Sequence, residues 1–125
     1  MHSVIIHNLT RPLLSPLRVR YCASFVCRLR GLTFRRQLAT NDGLLLVQKR
    51  ENRTDAAIHM LFVWINLAVV WVNADHEIVD VRLAHRWRPF YMPQKPARFV
   101  LEASAERLPE FQVGDRLRFE KTNVG

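Results

Sequence analysis

The chain has 125 residues, of which 49% are hydrophobic and 24% are charged. This length suits one compact domain with a single core and excludes a two-domain enzyme with separate cofactor and substrate halves. The apolar fraction excludes intrinsic disorder, because such a chain can bury enough surface to offset its conformational entropy. We therefore expect one domain over residues 1–125.

The formal net charge of +8 lies entirely in the first half of the chain. Residues 1–53 contain ten Lys or Arg against two acids, whereas residues 54–125 contain nine of each. Most of the basic residues are arginine, whose guanidinium forms bidentate contacts with phosphate or carboxylate. The excess indicates an anionic partner, either a ligand or an acidic protein surface, or else a solvated arginine-rich face with no specific partner.

The pattern predicts a mostly β domain, taken here in chain order. The first half is expected to contain a hairpin of strands 4–8 and 17–21, a helix 24–31 capped by Ser24, and a strand 44–47. The second half is expected to contain strands 57–64, 67–72, 77–83, 98–102 and 116–120, an irregular proline-rich segment 85–95, and a helical turn 104–108. The spacing is too short for βαβ units. We therefore predict an α+β fold, mostly β, with a compact mixed or antiparallel sheet closing toward a barrel and one or two short helices.

The sequence also bears on the compartment and on the cysteines. Arginines interrupt every apolar run before residue 31, so we read no signal peptide and predict a cytoplasmic protein. The apolar stretch 56–72 is short for a membrane span and rich in strand-forming residues, so we predict no transmembrane segment. Cys22 and Cys27 fit neither a CxxC motif nor a zinc site. We expect two reduced, mostly buried thiols and predict no metal and no cofactor.

Catalytic signatures are largely absent from the chain. It has no glycine-rich phosphate loop, no G-x-S-x-G elbow and no histidine pair at metal-ligand spacing. We therefore assign no catalytic residue. The missing signatures favour a protein that is not an enzyme, and the sequence leaves the question open.

Two candidate ligand-binding groups precede residue 60. Arg30 and Arg35 belong to a basic cluster around Gly31 that could hold phosphates, or whose stems could simply cover apolar neighbours. His59 stands in an apolar run, where it could face a pocket or be a hydrogen-bonded core histidine.

The third candidate group lies in the proline-rich segment and just beyond it. Cations there alternate with aromatic rings, a pattern that can stack bases and bind phosphates, or form a stiff loop over one end of the core. Its members are His85, Arg86, Trp87, Arg88, Tyr91 and Arg98.

These blocks carry a resemblance to a known family. Arg30–Arg35 (RGLTFR) is similar to an R-G-L-M-x-R motif, Ile58–Met60 (IHM) to the family's next block, and Ala97–Glu102 (ARFVLE) to A-x-Y-V-L-E. Shorter matches occur at Gly43-Leu44-Leu45, Glu77-Ile78-Val79 and Val113-Gly114-Asp115. In order and spacing, residues 28–119 resemble the family called domain of unknown function 192. The resemblance implies a β-rich α+β domain with a barrel-like sheet and no established activity.

The chain departs from the family pattern in three places. Asn66-Leu67-Ala68 stands where many members have P-I-D, the turn glycine is replaced near Asp75-His76, and Ala103-Ser104-Ala105 replaces P-A-G. The missing aspartate, at Ala68, means that an activity depending on it would be lost here. Many relatives also carry a signal peptide, which we do not read in this chain.

The favoured functional interpretation is a non-enzymatic binding module for an anionic ligand or partner, using segment 85–98 and the arginines near Gly31. A nucleic-acid-associated accessory protein is the first alternative. A small-molecule enzyme with a pocket around His59 is the second. The sequence leaves the ligand and the oligomeric state open.

Overall fold

The computed structural model describes residues 2–122, which contain seven β-strands, one α-helix and one 3₁₀ helix. The strands are β1 (Ser3–Asn8), β2 (Arg18–Cys22), β3 (Gly43–Asn52), β4 (Leu67–Val72), β5 (Ile78–Ala84), β6 (Ala97–Ser104) and β7 (Leu117–Thr122). The helix α1 spans Phe25–Arg30, and the 3₁₀ helix spans Ala105–Glu110.

The seven strands form one mixed sheet with the order β5-β4-β6-β3-β2-β1-β7. Neighbouring strands are antiparallel except for β2 and β3, which are parallel. Glu77, just before edge strand β5, forms a bridge with Arg116, just before edge strand β7. The two edges therefore meet at one end and the sheet curls, which confirms the predicted mostly β fold closing toward a barrel.

Both faces of the sheet centre are buried, because successive side chains of a strand point to opposite sides. On β3, Leu44 and Leu46 join the core beneath α1, whereas Leu45 and Val47 join a second core with Val4. We call the first side the α1 face. It is covered by α1, the turn that follows it and the connection between β3 and β4.

The connection between β3 and β4 corrects one predicted strand, because residues 57–64 do not form one. They make a single bridge, Ile58 with Tyr91. Their other backbone hydrogen bonds go to loops, as in Met60 N to Arg88 O at 3.0 Å. Phe62 has a φ of 60°, which interrupts an extended conformation. The remaining predicted strands are present, and β1 and β2 pair as the expected antiparallel hairpin.

Helix α1 is capped as predicted, but its apolar residues do not hold it to the sheet. Its N-cap Ser24 accepts a hydrogen bond from Cys27 N at 3.1 Å, as expected. However, none of its residues is buried, and Phe25, Val26 and Leu29 are exposed. Instead, a disulfide joins the helix to the end of β2.

Cys22 and Cys27 form that disulfide, with Cα atoms 5.6 Å apart. The expectation of two reduced thiols is therefore wrong. The capped turn between β2 and α1 folds the chain back on itself, which brings two residues five positions apart within bonding reach. Disulfides persist mainly in oxidising compartments, so the bond does not favour the predicted cytoplasmic location, which stays a prediction. Among residues 2–122, no helix is long and apolar enough to cross a membrane.

Candidate functional site

A cavity of about 410 Å³ lies on the α1 face of the sheet, a volume within the range of small-molecule sites. Buried apolar side chains line its interior, namely Leu32, Leu46, Ile58, Met60, Val63 and Leu67. Exposed or half-buried basic side chains lie around its mouth, namely Arg28, Arg30, Lys49 and Arg50. The cavity thus has an apolar interior and a cationic mouth.

Glu102 lines this cavity from β6 and is its most unusual residue. Its side chain points to the α1 face, and its two neighbours across the sheet are Leu44 on β3 and Val69 on β4. The residue is only 4% exposed. No hydrogen bond or ion pair joins its carboxyl group to any other residue among 2–122, so a buried acid faces the cavity without a partner.

Burial raises the pKa of the Glu102 carboxyl from 4.5 to about 7, because removal from water penalises the charged form. Neither strand neighbour offers a charge or a hydrogen bond that would offset this penalty. At neutral pH the group is therefore divided between its protonated and ionised forms. It can donate a hydrogen bond in the first form and accept one in the second.

Gly31 lies above the same carboxyl group at the end of α1. Its φ of 51° and ψ of −128° belong to a region that is nearly restricted to glycine. A Cβ at this position would lie 3.9 Å from Glu102 Oε1. The helix thus ends directly over the buried acid, and glycine keeps the space between them open.

His59 also lines the cavity, and it connects the wall to the helix. Its Nε2 lies 3.3 Å from the backbone oxygen of Leu29 in α1. Because a carbonyl oxygen only accepts, Nε2 is the donor in this contact. Nδ1 is buried and has no hydrogen-bond partner among the described residues. The cavity therefore contains two polar groups with unused hydrogen-bonding capacity.

Arg28 fastens α1 over the cavity. Its Nη1 donates a 3.1 Å hydrogen bond to the backbone oxygen of Val47 on β3. With the Cys22–Cys27 disulfide and the His59 contact, this bond holds a helix that buries none of its own residues. Helix α1 thus forms the roof of the cavity and is attached by these three contacts and by little apolar packing.

The predicted site residues fall into two groups around this cavity. Arg30 and His59 line it, whereas Arg35 and the predicted residues of segment 85–98 do not. Arg35 is joined to the 57–64 connection by its backbone, through Trp64 N to Arg35 O at 3.4 Å. Arg98 donates from Nε to Gln48 O at 3.2 Å and lies over the Phe99 ring.

The 85–91 segment packs against the 57–64 connection. Tyr91 is buried, and its hydroxyl accepts a hydrogen bond from His85 N at 2.8 Å. Arg88 lies over the Tyr91 ring at 5.4 Å from the centroid. Arg86 is exposed, and Trp87 is 39% exposed. Tyr91 therefore supports the loop, while the arginines and Trp87 remain accessible.

Sequence reasoning missed Glu102 as a site residue. The sequence feature that could have identified it is a single acid within the otherwise apolar strand segment Phe99–Ala103. A lone carboxylate in such a strand is costly unless it is paired, so its presence indicates either a hidden partner or a functional group. The strand pattern alone could not show that Leu44 and Val69 would be its neighbours.

Fold and site together define a mostly β domain with a curled mixed sheet and a small-molecule-sized cavity beneath a short helix. A model of the DUF192 family, described as "Uncharacterized ACR", matches residues 7–119, and the chain belongs to this family. The match includes most of the N-terminal hairpin, which the motif resemblance beginning near residue 28 left out.

Named relatives and solved structures agree with this assignment. A UPF0127 protein of Pyrococcus furiosus is 31% identical over 116 residues, covering 91% of this chain and 97% of the relative. A UPF0127 protein of Thermococcus gammatolerans is 33% identical over 106 residues, covering 83% and 67% respectively.

Two crystal structures share the fold. A Sinorhizobium meliloti protein, provisionally described as a transcription regulator, superposes with a TM-score of 0.81 at 21% identity, covering 94% of this chain and 92% of that one. A Novosphingobium aromaticivorans protein of unknown function gives 0.79 at 20% identity, covering 93% and 83%. At these identities the likeness concerns the fold alone.

Proposed function

We propose that this protein is a binding module for a small anionic molecule with an apolar body, held in the cavity beneath α1. The observation that carries the proposal is the buried, unpartnered carboxyl group of Glu102 facing a cavity of about 410 Å³. A buried acid without a partner destabilises the fold when it ionises. A hydrogen-bonding group on the otherwise apolar body of the ligand would supply the missing partner, which is a physical reason to keep the acid.

The charge at the mouth supports an anion rather than a cation. Four basic side chains line the cavity, whereas its acids are Glu102 and Asp55. Asp55 accepts a 2.9 Å hydrogen bond from Asn52 Nδ2 and keeps its charge, so four basic side chains face at most two carboxylates. An anionic head group at the mouth would meet guanidinium and ammonium groups, while its apolar body would contact the buried interior.

Isothermal titration and amide chemical-shift mapping with four eight-carbon probes test this proposal. Octanoate and octyl phosphate carry an anionic head group, octanol a neutral one and octylamine a cationic one. We expect the two anions to bind at least tenfold more tightly than octylamine, with shifts concentrated at Gly31, His59 and Glu102. Equal affinity for all four, or shifts elsewhere, would contradict the proposal.

Two matched double variants distinguish the effect of the charges at the cavity mouth from the effect of the protein's net charge. Arg30→Gln/Arg50→Gln removes two charges from residues that line the cavity. Arg18→Gln/Arg20→Gln removes two exposed charges from β2, outside it. We expect only the first pair to weaken octanoate binding. Equal weakening by both would show that net charge, and not the cavity mouth, attracts the anion.

The presence of His59 and Glu102 in one cavity favours a small-molecule enzyme as a second candidate. A carboxyl group whose pKa is raised to about 7, in the same cavity as an imidazole, suits general acid–base chemistry. Hydrolysis of p-nitrophenyl octanoate and of p-nitrophenyl phosphate provides the first test. Turnover that is lost in Glu102→Gln, with octanoate binding retained, would promote the enzyme over the binding module.

A further inference from the structure

Four aromatic side chains form a continuous row on the surface, on the side of the 57–64 connection that packs against segment 85–91. We call Phe34, Phe62, Trp87 and Trp64 the aromatic row. The ring centroids of Phe34 and Phe62 are 5.5 Å apart, those of Phe62 and Trp87 5.1 Å, and those of Trp87 and Trp64 4.9 Å. Three separate chain segments thus converge to build one surface.

The row is accessible rather than part of the core. Phe34 is 65% exposed, Phe62 48%, and Trp64 and Trp87 39% each. A row of large exposed rings is an uncommon feature of a protein surface and marks a binding site more often than a structural one. Trp71, by contrast, is fully buried and donates its Nε1 hydrogen to Ala56 O.

The backbone is strained to present these rings. Phe34, Phe62 and Trp87 have φ angles of 68°, 60° and 66°. Bulky side chains avoid this left-handed region, and residues held in it concentrate at functional sites. Backbone hydrogen bonds fix the arrangement, including Phe34 N to Phe62 O at 2.8 Å and Trp87 N to Met60 O at 2.9 Å.

The charged side chains next to the four rings in sequence are all arginines. Residues 1–41, 56–74 and 81–101, from which the row is drawn, contain no acidic residue. Arg36 lies over the Trp64 ring at 5.1 Å from the centroid. Arg35 follows Phe34, and Arg86 and Arg88 flank Trp87. The segments that build this surface therefore contribute ring faces and guanidinium groups and no carboxylate.

We propose that the aromatic row binds single-stranded nucleic acid, with bases stacking on the rings and phosphates meeting the flanking arginines. This site is distinct from the cavity and does not depend on the function proposed for it. Rings reach bases only where these are unstacked from a duplex, which selects single strands. Charge complementarity favours this occupant over a protein segment, which would need acidic side chains at matching positions.

Fluorescence anisotropy with labelled oligodeoxythymidylate of twelve nucleotides tests the proposal at about 50 and 200 mM salt. A base-free abasic strand of the same length and a matching duplex serve as comparison probes. We expect the thymidylate to bind at least tenfold more tightly than either, with weaker binding at the higher salt. Binding should also quench tryptophan emission, because Trp64 and Trp87 are accessible.

Variants that keep the backbone conformation make the test specific. Phe34→Asn and Phe62→Asn remove a ring at a left-handed position that asparagine tolerates. We expect each to weaken thymidylate binding about tenfold. Arg36→Gln/Arg88→Gln should weaken it and reduce its salt dependence, whereas Arg18→Gln/Arg20→Gln should change it little. The arginine variants keep the test valid if a ring variant loses stability.

Three outcomes would overturn the proposal. The first is equal binding of the abasic strand, which would show a general polyanion site. The second is binding that the ring variants leave unchanged. The third is the absence of binding at both salt concentrations. A protein partner would then be the remaining candidate for the aromatic row. None of these outcomes affects octanoate binding in the cavity, so the two proposals fail independently.

Discussion

The Cβ that Gly31 lacks would lie 3.9 Å from Oε1 of Glu102. This relationship joins the end of α1 to the buried acid of β6. Because Gly31 has a φ of 51°, the backbone at the helix end requires glycine. The missing Cβ also leaves free space above the carboxyl group. Substitutions there should therefore affect both stability and ligand binding.

Gly31→Ala should destabilise the fold by about 1–2 kcal/mol, since an L-residue is strained at this φ and ψ. It should also weaken octanoate binding, because the added methyl group enters the space between α1 and Glu102. Urea unfolding measures the first effect and calorimetric titration the second.

Gly114→Ala is the matched control for this substitution. Gly114 also has a positive φ, 95°, but its Cβ would meet nothing within 4 Å. It should show a comparable loss of stability with unchanged octanoate affinity. If both variants bind octanoate like the parent protein, Gly31 does not shape the cavity.

Glu102→Gln should remove a pH dependence of stability. The folded carboxyl has a pKa of about 7 against 4.5 when unfolded, so between these values the folded state binds more protons. Stability contributed by this group is complete below pH 4.5, falls as the pH rises, and is lost above pH 7. The loss amounts to about 3 kcal/mol as an upper limit.

Urea unfolding of the parent protein and of Glu102→Gln at pH 4.5, 6 and 8 checks this expectation. The stability difference between the two should shift in favour of the variant as the pH rises. Comparing the two proteins at each pH cancels the titration of other groups. A difference that stays constant would show that Glu102 titrates normally and would remove the electrostatic basis of the site.

Much of the fold could be predicted because local patterns determine it. The turn residues, the short alternating strands and the Ser24 cap each act within a few positions. The 57–64 connection could not be predicted as irregular, since its apolar run is compatible with a strand. Its conformation depends on partners distant in sequence, namely Arg88 and Tyr91.

The candidate site was predictable only in part, and for the same reason. His59 stood out as a polar ring in an apolar run, and the arginine cluster stood out by charge. The importance of Glu102 depends on its sheet neighbours Leu44 and Val69. Only the register of strand pairing places these two residues beside it. The aromatic row likewise needs three distant segments to meet.

Removal of the disulfide should loosen the roof of the cavity. Cys22→Ser/Cys27→Ser should lower the free energy of unfolding by about 2 kcal/mol, the value expected from chain entropy for so short a loop. Because α1 buries no residue of its own, the amide protons of Cys27 to Gly31 should exchange faster while those of β4 and β6 change little.

Hydrogen exchange with mass detection measures this local effect, and dithiothreitol added to the parent protein should reproduce it. Octanoate affinity should fall in parallel if α1 forms the roof of the site. Uniform acceleration over the whole sheet would instead show that the bond stabilises the fold globally.

Arg107→Ala should be the most destabilising of these substitutions, at about 3–5 kcal/mol. The side chain is 1% exposed, and its Nε lies 2.7 Å from Glu110 Oε2. Its Nη atoms donate to Ser15 O at 2.8 Å and to Thr40 O at 3.0 Å. One guanidinium thus joins the 3₁₀ helix to the connections that precede β2 and β3.

Lysine at this position should recover little of the loss, because one ammonium group cannot reproduce donors spread over a planar fork. Arg118→Ala, which removes an exposed arginine from β7, should change stability by less than about 0.5 kcal/mol. Urea unfolding of the three variants provides the comparison. If Arg107→Lys were as stable as the parent protein, the buried positive charge alone would account for the stabilisation. The hydrogen bonds to the two connections would then not be needed.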